Sequence, residues 1–322
     1  MQTRTLLSYK SPLSHSFQIV KQSFAPFSGR PVKRVSLVAG LHGDELEGVS
    51  LCSRLIRYLR ELEQTRPQAI KGAVNIYPAA NPQAIGDATR LWPFFGQDMN
   101  RQFGGRSGAS LPSHFSRRFL EDLISCSDLV VDFHAGNLHL QEAPQIRIIR
   151  KFDKKLIPLA RQCNVDLIWV HPMAKVFEST LSYNLNRRKI PTLVIEAGTG
   201  LRLIPAAGEQ IFSGILHFLH HLGILDLGKS GPPAVKNPLL AGPEQVVVVN
   251  AKHPGLFIKR AALGQNIRQG ETLGEVVDPC HGTVLEELKS PANGFIFTLR
   301  ELPLAYSGAI LARIATKNAE PK

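Results

Sequence analysis

The chain has 322 residues, 43% of them hydrophobic and 20% charged, and a formal net charge of +12. That length suits one large domain or two with a sizeable core, and no apolar run reaches the ~20 residues of a membrane span, so no membrane partner is expected. Lys and Arg are spread without a long basic run or a nucleic-acid-binding motif, which argues against nucleic acid and leaves a cationic site for small anions as the expected use of the charge.

Residues 1–16 lack the continuous apolar segment of a secretory signal. Cys52, Cys126, Cys163 and Cys280 form no paired motif, so reduced thiols and a cytoplasmic location are expected. From Val32 to about Leu222, strand-like runs at 35–39, 73–77, 129–133, 146–149, 167–170 and 193–195 alternate with amphipathic stretches at 45–62, 114–124 and 208–222. This alternation predicts an α/β layered domain with a largely parallel sheet. Residues 229–238 read as a proline-rich linker. After it, from about Ala241 to Ala315, short β-like runs set off by glycines predict a small β-barrel or sandwich, giving domains at 1–232 and 240–322. The spacing from Gly264 to Gly270 resembles a lipoyl or biotinyl carrier, but the turn at 278–282 lacks the lysine such carriers modify, so a structural module, a lid over the site, is expected.

Three of the strand-like runs end in chemistry. The first stops at Gly40 and leads into His42-Gly43-Asp44-Glu45, where the chain must turn into a helix; glycines at 40 and 43 suit a tight bend. The pair His42 and Glu45 supplies two of the three protein ligands of a catalytic zinc. The third ligand should come from the end of another strand, as in open α/β sheets. His134, after the run 129–133, has that place, and Glu196 ends the run 193–195 in the same way. Between the first two, the polar, turn-rich segments 81–90 and 97–103 carry Arg90 and Arg101, guanidiniums suited to a carboxylate or a developing oxyanion.

His42-Gly-Asp-Glu45, Asn81-Pro82, Asp98-Met-Asn100-Arg101, Asp132-Phe-His134-Ala-Gly136 and Ile195-Glu196 together resemble the succinylglutamate desuccinylase/aspartoacylase family, a branch of the zinc carboxypeptidase superfamily. The resemblance covers roughly residues 32–200, and the C-terminal β segment is also similar. It implies a three-layer α/β/α zinc-carboxypeptidase-like domain with a mixed sheet, plus a small C-terminal all-β domain. It implies a hydrolase that removes an acyl group from a small anionic N-acyl amino acid or similar amide. His42, Glu45 and His134 would then bind one Zn2+ per chain, Glu196 would act as general base then acid, Arg90 would stabilise the oxyanion, and Asn100 and Arg101 would grip a substrate carboxylate. Arg187 or Arg188 is a further candidate for a second anionic group. Phe103-Gly104-Gly105 departs from the family's Phe-Pro-Gly, and the bulky stretch 91–95 either lines an acyl pocket or packs beneath its loop. The rival readings are a zinc carboxypeptidase acting on peptides and a non-enzymatic metal- or ligand-binding protein; homo-oligomerisation is compatible with the sequence.

Overall fold

The computed structural model describes residues 1–11, 14–104 and 110–316, so Gly105 lies outside the described residues. An N-terminal hairpin, β1 (Gln2–Lys10) and β2 (Ser16–Phe24), precedes β3 (Arg34–Ala39), α1 (Leu46–Thr65), β4 (Ala73–Tyr77), α2 (Pro82–Gly86) and α3 (Leu111–Cys126). Then follow β5 (Leu129–His134), β6 (Leu140–Ile149), α4 (Asp153–Ala160), β7 (Leu167–His171), α5 (Leu181–Arg187), β8 (Thr192–Gly198) and α6 (Pro205–His221). The remainder is β: β9 (Leu239–Ala241), β10 (Val246–Asn250), β11 (Gly255–Lys259), β12 (Asn266–Ile267), β13 (Thr272–Val277), β14 (Val284–Lys289), β15 (Gly294–Arg300), β16 (Leu304–Ala305) and β17 (Ile310–Ala315).

The central strands β4, β3, β5 and β8 are parallel, while β2, β6, β15, β17 and β10 join antiparallel, so the sheet is mixed rather than largely parallel. Parallel strands buried on both faces read as continuous apolar runs, which is why the central ones stand out; β10, β15 and β17 fall among the short β-like runs expected after Ala241, whereas β1 and β2 were not expected. Leu37, Val131 and Leu193 turn to a core shared with Leu51 and Leu55 of α1 and with Ile211 and Ile215 of α6. On the other face Val38 and Val130 pack with Phe115 and Phe119 of α3 and Leu181 and Leu185 of α5. These two cores with the sheet between them make three layers. The expected strand at 146–149 begins earlier, at Leu140, and the C-terminal strands divide between two sheets. Strands β15, β17 and β10 extend the main sheet through the β6–β15 pairing, whereas β14, β13, β11 and β16 form their own four-stranded sheet.

In the stretch 91–95 Trp92 packs beneath its loop, fully buried against Tyr9, Phe95 and Phe115, while Leu91 and Phe94 are exposed.

Candidate active site

Strand β3 runs into Gly40, whose φ of +71° reverses the chain in a region few other residues tolerate. Gly43 then passes so close to α2 that a Cβ there would sit 2.0 Å from the carbonyl carbon of Ala84. This turn presents His42 and, one residue before α1, Glu45. Strand β5 ends in His134, and its parallel register with β8 sets His134 directly opposite Glu196. The intervening loop is pinned by two side-chain caps, Asn81 accepting from the Ala84 amide at 3.3 Å and Asp98 from the Asn100 amide at 2.8 Å. His42, Glu45, His134, Glu196, Arg90, Asn100 and Arg101 all line one cleft of about 420 Å³.

Nδ1 of His42 and Nδ1 of His134 each lie 2.8 Å from an oxygen of Glu45, and the three side chains offer ligand atoms all within 4.8 Å of one another. On the outer side, Nε2 of His42 faces Asp98 at 3.0 Å and Nε2 of His134 faces Asp132 at 3.1 Å. A neutral imidazole donates from one nitrogen only, yet both nitrogens of both buried rings face carboxylates. Each ring therefore calls for positive charge at its inner side. A metal ion at the two Nδ1 atoms and Glu45, with each Nε2–H held by an outer carboxylate, satisfies every contact.

The electrostatics of the protein alone agree. Burial disfavours a charged His42, but Glu45 and Asp98 outweigh it and raise its pKa; for His134 burial is likewise outweighed by Asp132 and Glu45. The two rings in turn overcome burial at Glu45 and hold it well below the usual carboxylate range, while the His42 hydrogen bond overcomes burial at Asp98 and brings it down to about 2. Glu196 goes the other way: burial pushes it up, and the Arg147 guanidinium 3.2 Å away offsets this only in part. A carboxylate poised above its ordinary range is suited to taking and returning a proton.

Arg90 donates to Glu45 at 2.9 Å and to Asp98 at 3.5 Å, leaving other guanidinium donors toward the cleft. Asn100 is buried and accepts from the Leu181 amide at 2.9 Å, and Arg101 donates to the Asn100 carbonyl at 3.0 Å without a carboxylate partner among the described residues. Arg187 and Arg188 do not line this cleft. Arg188 bonds Asn184 at 2.9 and 3.2 Å, and Arg187 faces a separate cavity. His171 lines the cleft and donates from Nδ1 to the Pro172 carbonyl at 3.2 Å. The His139 amide donates to Asn137, and His220 donates to the Leu225 carbonyl.

Sequence reasoning missed a charged floor beside Glu196. Arg147 on β6 bridges Glu196 and Glu142, the latter at 2.9 Å, and stacks over Trp169. The buried Glu142 also accepts from Gln145 at 2.7 Å, Thr298 at 2.5 Å and Arg313 at 3.2 Å. Thr298 and Arg313 come from β15 and β17, so the C-terminal strands brace Glu142 and bring Arg313 into the lining of the cleft. The available signal was period-2 alternation in β6, where Gln145, Arg147 and Ile149 share a face opposite to Ile146 and Ile148.

A mixed α/β sheet that gathers His, Glu and His at its strand ends, with a raised carboxylate and an arginine beside them, is the scaffold of a metal-dependent hydrolase of amide bonds. Residues 31–222 match the model of the succinylglutamate desuccinylase/aspartoacylase catalytic domain, and the chain belongs to that family. It is 26% identical over 284 residues to an N-alpha-acetyl-L-2,4-diaminobutyric acid deacetylase of Halomonas elongata, covering 87% of this chain and 81% of that one. Its fold is similar to the crystal structure of a succinylglutamate desuccinylase/aspartoacylase from Rhodobacter sphaeroides, with TM-score 0.79, 22% identity, and coverage of 96% and 93% of the two chains. It is also similar to the product-bound ectoine utilization protein EutE (DoeB) of Ruegeria pomeroyi, with TM-score 0.80, 20% identity, and coverage of 97% and 93%. No helix among the described residues is long and apolar enough to cross a membrane.

Proposed function

We propose that the chain is a zinc-dependent deacylase that releases the amine from a small anionic N-acyl amino acid in the cytoplasm. The nitrogen and oxygen donors of His42, Glu45 and His134 suit one zinc ion. Zinc held there would lower the pKa of a water to about 7 and polarise the scissile carbonyl as a Lewis acid. Asp98 and Asp132 fix the two rings through their Nε2–H groups.

Glu196 takes the proton of the attacking water and delivers it to the departing nitrogen, and Arg147 holds the carboxylate for both transfers. Arg90 directs its remaining donors at the oxygen on which charge develops, and Asn100 with Arg101 holds the substrate carboxylate.

The observation that carries this reading is the place of Glu196: a raised, ion-paired carboxylate one strand from a His-Glu-His cluster. Binding alone requires no such base. A cleft of about 420 Å³, with Arg313 of β17 in its lining, favours small substrates over peptides. The test is amine release from a panel of N-acetyl, N-succinyl and longer N-acyl amino acids and short peptides, with zinc-loaded protein and a chelator-treated control. Chelator-sensitive cleavage of small N-acyl amino acids is expected; cleavage confined to peptides would replace this reading with a carboxypeptidase.

A further inference from the structure

A second cavity, of about 670 Å³, lies at the start of β8, the end opposite Glu196. Its floor is apolar, from Phe152, Leu156 and Pro191, and its rim carries Arg150, Lys151, Lys154, Lys155, Arg187 and Lys189 against the single carboxylate of Asp153. These groups account for five of the chain's twelve net positive charges. Two short basic runs that look unremarkable apart in the sequence, 150–155 and 187–189, are brought together by the packing of α4 and α5 against the sheet ends.

Most of this charge is uncompensated. Arg150 approaches Glu244 at 3.6 Å with both side chains largely exposed, and Lys151 lies over the rings of Phe152 and Tyr183. Among the described residues no carboxylate is within ion-pair distance of Lys151, Lys154, Lys155, Arg187 or Lys189. Lys154 and Lys155 stand in the first turn of α4, where the helix dipole disfavours cations and favours an anion. Six cations around one concavity repel one another, and two of them stand at the helix end that disfavours them. An anion seated among them is attracted by each cation and by the helix N-terminus, which offsets that repulsion.

We infer that this cavity binds a phosphate-bearing small molecule. A phosphate group brings close to two negative charges and three strong acceptors at neutral pH, matching several unpaired Lys and Arg donors, and the apolar floor accepts an organic portion. A volume of about 670 Å³ is within the range of small-ligand sites, roughly 300–1,000 Å³. The site is separate from the catalytic cleft, and Arg187, a sequence candidate for substrate binding, belongs to it.

The test is calorimetric titration of the zinc-loaded full chain with inorganic phosphate and with ADP at physiological salt, beside a short DNA duplex and phosphatidylserine vesicles. The variant is Lys154→Glu with Lys155→Glu; should that pair fail to fold, Lys154→Gln with Lys155→Gln replaces it. One-to-one binding of phosphate or ADP, weakened at least tenfold in the variant while turnover and zinc content stay at wild-type values, is the expected result. Tighter binding of ADP than of phosphate would assign the organic portion to the apolar floor, and equal binding would assign the phosphate group alone. Absence of binding by both, equal affinity in the variant, or binding confined to the duplex or the vesicles would overturn the inference.

Discussion

Replacing Arg147 by Met removes the guanidinium that holds Glu196 and leaves an apolar stem of similar reach. Glu142 keeps Gln145, Thr298 and Arg313, so the loss falls on Glu196, whose side chain is 12% exposed and which has no other ion-pair partner among the described residues. Close charge pairs couple by about 1.5–7 kcal/mol in double-mutant cycles, and partial exposure of the Arg147 guanidinium puts this ion pair at the low end. At about 1.4 kcal/mol per tenfold, kcat should fall about ten- to a hundredfold, with KM changed little. Glu196 must be ionised to accept a proton. Its raised pKa places the acid limb of the rate profile above the ordinary glutamate range, and loss of Arg147 moves that limb further up. The assay is steady-state amine release, with metal content checked, in a double-mutant cycle with Glu196→Gln. In the Glu196→Gln background the Arg147 change should cost little more. A raised KM with unchanged kcat, or equal losses in both backgrounds, would show that Arg147 contacts substrate instead of acting through Glu196.

Other outcomes follow from the same geometry. Asp132→Asn removes the charge behind His134 and should weaken metal affinity about ten- to a hundredfold, measured by competition with a chromogenic chelator, while the fold survives. Gly43→Ala drives a methyl into the Ala84 backbone and should cost more than about 2 kcal/mol of stability, read as a lower melting temperature together with reduced metal content; an unchanged melting temperature would remove close packing from the account of that turn.

The three strand ends that build the site were legible because a buried parallel strand writes itself as an apolar run, and each run led into a chemical residue with a glycine within two positions. Their convergence follows from the register that sets His134 against Glu196. What hid Arg147 and Glu142 was the character of β6. It pairs antiparallel with β8 and β15 and parallel with β7, and Pro144 and the polar Gln141, Glu142, Gln145 and Arg147 break its apolar pattern, so only its last four residues stood out as strand. Arg313 was harder still, since its place in the cleft depends on β15 pairing with β6, a contact between residues more than 150 apart that no local pattern encodes. The N-terminal hairpin escaped notice for a related reason: as the outer edge of the sheet, β1 is largely exposed and only Leu6, Leu7 and Tyr9 near its end pack on the core.

The most direct test of the central claim is metal stoichiometry measured alongside turnover. Protein stripped by chelator and titrated with zinc should bind one equivalent, with activity returning in proportion, and His134→Ala should neither bind tightly nor turn over. Tight binding of a full equivalent by His134→Ala, or undiminished cleavage by the stripped wild type, would contradict the His42, Glu45 and His134 centre.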